Sequence, residues 1–126
     1  MAVRSDFNVI PFKEHLGDKK GDLDTDFTWK GKFSSVKSFR IEGKPVDDAF
    51  LLINHKDVHN SSHVIRINNV NLPWLDIIDA DGKYVTQMKL IPPGVLFQGN
   101  NTIQIEQKGD DNFIIYEIVV HLREED

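Results

Sequence analysis

The feature that most constrains this chain is a series of short segments in which apolar and polar residues alternate, with turn-forming residues between them. The clearest segments lie at residues 63–70, 102–107 and 112–123. In 102–107, Ile103 and Ile105 alternate with polar neighbours, as expected for strands with one buried face. Helical periodicity is almost absent, and strands do not alternate with helices. The pattern predicts an all-β fold, an antiparallel β-sandwich with jelly-roll topology.

Further strands are expected at 49–57 and 83–91, with imperfect alternation in 27–41. The Asp-Gly pair at the end of 79–82 favours a hairpin, because both residues tolerate a positive φ. Residues 12–23 are punctuated by Gly17 and Gly21 and are expected to form a loop.

The composition favours one cysteine-free domain over residues 1–126, with 1–45 the least certain part. A chain of 126 residues can bury a substantial core. The absence of cysteine excludes disulfides, thiolate metal sites and a cysteine nucleophile. No apolar run of 18 residues and no signal peptide is visible, so we expect a soluble cytoplasmic protein without a membrane partner. Leaderless export is compatible with the same sequence.

The charge argues against nucleic acid as a partner. There are 15 Lys and Arg against 20 Asp and Glu, which gives a formal net charge of -5. Lysines cluster early in the chain, but aspartates lie among them, so no separate basic face is predicted.

Two patterns could suggest a metal, and we expect neither to bind one. Asp22, Asp24 and Asp26 alternate as calcium ligands can, but the EF-hand pattern fails at its required Gly and Glu positions. A solvated loop is expected, with a structural calcium site as the alternative. The histidines at 55, 59 and 63 are four residues apart, which would suit zinc only on a helix, and a loop between strands is predicted there. We therefore expect no cofactor.

The stretch IPPGVLFQGNNTIQIE, residues 91–106, contains an apolar stub that is too short to form an ordinary element. Pro-Pro-Gly precedes Val95, Leu96 and Phe97, and Gly-Asn-Asn follows them, so a bend is expected on each side. We expect the stub to plug the open end of the sandwich and a strand to resume at Thr102.

These segments together resemble a known family. AFLLINHKDV, HVIRINNVNLP, the stub and DNFIIYEIVVHLRE resemble the galactose-binding-domain-like jelly roll of carbohydrate-binding modules and glycosidase sandwich domains. The resemblance covers residues 49–123. In such domains an Asn-Gly turn ends one strand, and Asn68-Asn69 stands at that place here. The resemblance implies a binding domain and assigns no ligand residue.

The sequence favours binding over catalysis. No serine lies in a nucleophile elbow, and no carboxylate pair shows a reason for a raised pKa. Sugars stack on Trp or Tyr beside polar groups, so the loops around Trp74 are candidates, although both Trp74 and Trp29 could equally belong to the core. The candidate ligand rim for a glycan consists of His59, Asn60, Trp74, Asp76 and Asp111.

The alternative is a structural or assembly protein that binds itself or a protein partner through a sheet face. In segment 112–123, Phe113, Ile115 and Val119 fall on one predicted face. The opposite, inward face carries Ile114, Tyr116, Ile118, Val120 and Leu122. Three large apolar groups in one row suggest a covered surface. We therefore expect a homo-oligomer, unless residues 7–12 cover the row within the chain.

Overall fold

Two β-sheets pack face to face in the computed structural model, which describes residues 2–19, 21, 25–58, 63–72, 77, 83–109 and 111–125, without the side chains of residues 47 and 48. The strands are β1 (Val3–Leu16), β2 (Thr28–Gly31), β3 (Lys37–Ile41), β4 (Lys44–Lys56), β5 (His63–Ile67), β6 (Val70–Asn71), β7 (Tyr84–Leu90), β8 (Gly99–Gln107) and β9 (Phe113–Glu125). Across these described ranges, no helix has the length and apolar character needed to cross a membrane.

One sheet has five strands in the order β2-β1-β9-β4-β7, and the other has four in the order β3-β8-β5-β6. Each pairing between strands is antiparallel except that of β1 with β2, which is parallel. The prediction of an all-β jelly-roll sandwich is confirmed. The expected loop at 12–23 is wrong in its first part, because β1 continues to Leu16 as the neighbour of β9.

The core lies between the sheets and is rich in isoleucine. The inward prediction for Ile103 and Ile105 is confirmed, since both are fully buried. They face residues of the opposite sheet such as Ile53 and Ile118, which are equally buried. Burying such side chains stabilises the fold by about 1.5–3 kcal/mol each, so this core can be stable without a disulfide bond.

The predicted inward face of β9 is confirmed for Ile118, Val120 and Leu122, but the prediction is wrong for residues 113–116, where a bulge shifts the alternation. Glu117 pairs with Asn54 of β4 but Ile115 pairs with the next residue, His55, so Tyr116 is the extra residue. A bulge turns two successive side chains towards one face. Phe113 and Ile115 consequently join the core with Ile118, and both are fully buried within one chain. The exposed row that they were expected to form with Val119 does not exist.

The apolar stub connects the two sheets, at the end where β7 passes into β8. Val95 and Leu96 are buried in the core, as predicted, whereas Phe97 is 55% exposed. Gly94 and Gly99 bound the stub with φ of 84° and 99°, values that favour glycine. Strand β8 begins at Gly99 rather than at the expected Thr102.

The turn between β5 and β6 helps to hold this connection in place through Asn68. Asn68 and Asn69 have φ of 51° and 65° and form the tight turn between β5 and β6, where the resemblance implied an Asn-Gly turn. Asn68 Nδ2 donates to the carbonyl of Val95 at 2.8 Å, and Asn68 Oδ1 accepts from the backbone N–H of Thr102 at 2.9 Å. The Asn68 side chain, in the turn between β5 and β6, thus fixes the connection between β7 and β8.

Replacing Leu96 with alanine should lower the free energy of unfolding by about 2 kcal/mol, the low end for buried leucine, because Leu96 lies at the edge of the core. Phe97→Ala is the matched control and should change stability by less than about 0.5 kcal/mol, as exposed positions usually do. Urea unfolding followed by circular dichroism measures both. Equal effects of the two substitutions would contradict the observed orientation of the stub.

The two ends of the chain lie side by side at the stub end of the sandwich. Val3 of β1 pairs with Glu125 of β9, and the pairing continues along both strands to Leu16 and Phe113. The loops after β1, β4 and β8 lie at the opposite end, which we call the loop end.

Candidate functional site

The outer face of the five-stranded sheet carries an aromatic pocket near the loop end. Tyr116 is placed there by the β9 bulge, and Tyr84 is the first residue of β7, across β4 from it. Their rings meet edge to face with centroids 5.9 Å apart and planes at 74°. Phe27 adds a third ring, 6.1 Å from that of Tyr116. Tyr84 is exposed and the other two rings are partly exposed, so a ligand can reach this surface.

The pocket is mainly apolar and contains one amide side chain. Among the described residues, Asn54, Tyr84 and Tyr116 line a shallow pocket of about 270 Å³. Asn54 Nδ2 donates to Thr86 Oγ1 at 3.0 Å, which fixes the orientation of the amide. Within the described part of the chain, no donor is bonded to Asn54 Oδ1, so this oxygen can accept a hydrogen bond from a ligand.

Two lysines border the pocket. The Nζ of Lys13 lies 5.6 Å from the ring centroid of Tyr116, and the Nζ of Lys56 lies 5.3 Å from that of Tyr84. Both distances fall in the range of cation–π contacts. The lysines supply hydrogen-bond donors around the pocket, while Glu117, beside Tyr116 on the same face, supplies an acceptor. Ring faces, donors and acceptors are thus combined on one open surface.

Four of the five predicted rim residues lie outside the described residues: His59, Asn60, Trp74 and Asp76. The fifth, Asp111, is buried, and this corrects its assignment to an exposed rim. Its Oδ2 accepts a hydrogen bond from His63 Nε2 at 3.1 Å, with both side chains almost fully buried. Asp111 therefore stabilises the interior at the loop end.

His55 lies in the same interior. The pKa of His55 is lowered to about 4, mainly by burial and to a smaller extent by the nearby charge of His63, while a contact with the Gln87 side chain opposes the shift. Among the described residues, neither ring nitrogen of His55 has a partner in hydrogen-bonding geometry. The imidazole is therefore held neutral near pH 7.

The tryptophan that the structure describes does not join the pocket. Trp29 lies on the edge strand β2, is partly exposed, and donates from Nε1 to the carbonyl of Gly17 at 3.1 Å. This bond ties β2 to the end of β1. Trp29 is thus neither a core residue nor part of the aromatic pocket.

The metal candidates are equally separate from the pocket. Asp22 and Asp24 lie outside the described residues, and Asp26 is exposed. His59 is also outside the described residues, while His55 and His63 point into the core. Within the described ranges, no three His, Asp or Glu side chains are grouped as metal ligands.

Sequence reasoning missed the tyrosines because it placed Tyr116 on the buried face of β9. A bulge is set by pairing with β1 and β4, and β9 itself has no glycine or proline that would mark this one. The available signal was weak: a Tyr at the start of β7, another near the start of β9, and an Asn on the strand between them.

The fold resembles that of solved carbohydrate-binding modules, which are jelly-roll, galactose-binding-like domains. One is the CBM36-1 domain of a multidomain xylanase from the hindgut metagenome of Trinervitermes trinervoides, with a TM-score of 0.58 and 11% identity, over 91% of this chain and 96% of that one. A family 35 module from an environmental isolate has a TM-score of 0.56 and 13% identity, over 95% and 92%. A family 35 module from Clostridium thermocellum has a TM-score of 0.50 and 13% identity, over 95% and 98%.

No curated protein matches the chain in sequence. The resemblance to carbohydrate-binding modules is therefore one of fold. Residues 4–124 match a protein family described as "Family of unknown function (DUF7383)". The match spans nearly the whole chain, and the chain therefore belongs to this family.

Proposed function

We propose that this domain is a non-catalytic module that binds carbohydrate through the aromatic pocket on the outer face of its five-stranded sheet. The observation that carries the proposal is the grouping of Tyr84 and Tyr116 around the amide of Asn54. A pyranose ring can place its C–H face on a tyrosine while its hydroxyls bond to the amide and to the neighbouring charged groups. The likeness in fold to carbohydrate-binding modules supports the same function.

The buried carboxylates are hydrogen-bonded within the fold, which is consistent with a binding role rather than a catalytic one. Glu14 accepts from the backbone N–H of Ser35 at 2.9 Å and from its hydroxyl at 2.6 Å. Asp111 bonds to His63, and Glu124 accepts from the N–H of Gly43 at 3.2 Å. Each of these carboxylates stabilises the fold, and none of them lines the pocket, so we assign none to acid–base catalysis.

Isothermal titration calorimetry with xylo-, cello- and galacto-oligosaccharides tests the proposal. At least one series should bind saturably, and Tyr84→Ala and Tyr116→Ala should each weaken binding about tenfold, the loss expected when a ring that stacks on the ligand is removed. Phe97→Ala is the matched control, because it removes an exposed aromatic ring at the opposite end of the sandwich. Its affinity should equal that of the native chain.

Nuclear magnetic resonance adds a local readout. The side-chain amide signals of Asn54 should shift on titration with the sugar that binds in calorimetry. Saturable binding that neither tyrosine substitution weakens would overturn the assignment of the pocket. The lack of saturable binding to all three series would count against the proposed carbohydrate function itself.

A second function, assembly through a sheet face, is favoured by a different part of the same outer face. That part is apolar and lies between the pocket and the stub end.

A further inference from the structure

The half of the outer face nearer the stub end is an apolar patch four strands wide, and its second row adjoins the row that contains Asn54. Strand register places its side chains in two rows: Phe7, His121, Phe50 and Leu90 in the first, and Val9, Val119, Leu52 and Met88 in the second. Phe7 is 59% exposed, Val9 51%, Met88 58% and Leu90 71%. Scattered apolar residues on a surface need no explanation, but eight positions in two complete rows do.

The aromatic rings in the patch are stacked on one another. The rings of Phe50 and His121 lie 4.8 Å apart at 8°, and those of Phe7 and His121 lie 5.9 Å apart at 28°. Because neighbouring rings cover one another's faces, the row presents mainly ring edges outward. A sugar needs a free ring face, so the patch does not suit a second sugar. It suits another apolar protein surface.

The size of the patch fits a partner of similar dimensions. A full aromatic side chain offers about 150–250 Å² and an aliphatic one somewhat less, so these exposures add to roughly 500 Å² of apolar surface. A standard interface buries roughly 800 Å² on each partner, and homodimer interfaces are about 65% apolar. The patch with a modest polar rim therefore has the area and apolar share of a homodimer interface.

We propose that the apolar patch is the contact surface of a homodimer in which the five-stranded sheets of two copies pack face to face. Its rows contain no Asp, Glu, Lys or Arg, so a charged partner finds no complementary group there. A second copy supplies the same twist and the same apolar rows, which is what aligned packing of two sheets about 10 Å apart requires. The contact is isologous, as in most dimers.

Symmetry allows two face-to-face arrangements. With the two-fold axis parallel to the strands, each aromatic pocket would face its counterpart and be covered. With the axis perpendicular to the strands and between the two rows, the first row packs on the second row of the other copy. The pockets then lie at opposite ends of the dimer and do not face each other. We infer the second arrangement, which keeps the two Tyr84–Tyr116 pockets apart.

Sedimentation velocity of the full chain between about 1 and 200 µM tests the proposal. The native chain has a mass of 14.5 kDa and should show a reversible monomer–dimer equilibrium. Val9→Lys should raise the dimer dissociation constant at least about fiftyfold, because a charge would be buried without a partner. Val36→Lys is the matched control: it makes the same change at a position that is 59% exposed and outside the patch. Its dissociation constant should equal that of the native chain.

Met88→Lys, on a different strand of the patch, should act like Val9→Lys. Circular dichroism should show a native β spectrum for all three variants, since these side chains are exposed in one chain. Tyr84→Ala should leave the dimer unchanged, and Val9→Lys should leave the affinity per sugar site unchanged, so this inference and the proposed function fail separately.

A native chain that remains monomeric at 200 µM would overturn the homodimer. A dimer that is disrupted by Val36→Lys but not by Val9→Lys would also overturn it. The same holds for a monomer that binds phosphatidylcholine vesicles through the patch.

Discussion

Asn101→Ala is expected to destabilise the fold by about 3 kcal/mol, more than the loss of an apolar side chain from the stub. The Oδ1 of Asn101 accepts from the N–H of Phe97 at 2.9 Å and from Asn68 Nδ2 at 2.8 Å. Its Nδ2 donates to the carbonyls of Phe97 at 2.9 Å and Gly99 at 3.1 Å. Alanine would remove this partner from the Phe97 N–H and from the two carbonyls, whereas Asn68 Nδ2 would keep its bond to Val95. Each group left unsatisfied away from water costs about 1–3 kcal/mol.

The neighbouring residue provides the control. Asn100 is exposed on the same strand, so Asn100→Ala should change stability by less than about 0.5 kcal/mol. Urea unfolding of the two variants at one pH, with unchanged m values, gives the comparison. If Asn101→Ala proved as mild as Asn100→Ala, the four hydrogen bonds would not be what holds the connection between the sheets.

Acidification from pH 6.5 to pH 4 is expected to remove about 3 kcal/mol of stability through His55 alone. The pKa of His55 is about 4 in the folded chain and 6.5 when it is exposed. A lowered histidine pKa means that the unfolded chain binds the proton first as the pH falls. The contribution of His55 is therefore complete above pH 6.5 and is lost towards pH 4, and 2.5 pH units correspond to roughly 3 kcal/mol.

His55→Met isolates this contribution, because methionine fills the buried space without titrating. The difference in unfolding free energy between native chain and variant should change by about 3 kcal/mol between pH 7 and pH 4, in favour of the variant at low pH. Guanidinium unfolding at several pH values measures it. A difference that stays constant across this range would show that His55 does not titrate on unfolding.

The sequence was most informative where burial differs strongly between the two faces of a strand. Ile103 and Ile105 of β8 alternate with polar residues, and the structure buries both completely. The turn at Asn68 and Asn69 was implied by the family resemblance, whereas the alternation alone extended a strand through it to residue 70. Local alternation carries the information for the buried face of a strand but not for where the strand ends.

The candidate site could not be predicted in the same way. Tyr116 faces outward only because β9 carries one more residue than β4 between paired positions. The pairing of strands that are distant in the sequence determines where this extra residue falls. The same bulge turned the expected outer row into core, since Phe113 and Ile115 precede it. The exposed patch around Val9 was missed because residues 1–45 showed no clear pattern.

The pairing of Val3 with Glu125 has a consequence for the use of this domain in larger assemblies. Tyr116 and Glu125 are nine residues apart on β9, which corresponds to about 30 Å at the rise of a strand. A second domain fused before Val3 or after Glu125 would be tethered at the end away from the pocket. Both fusion points are also adjacent, so the domain could be inserted into a loop of a host protein with its pocket directed outward.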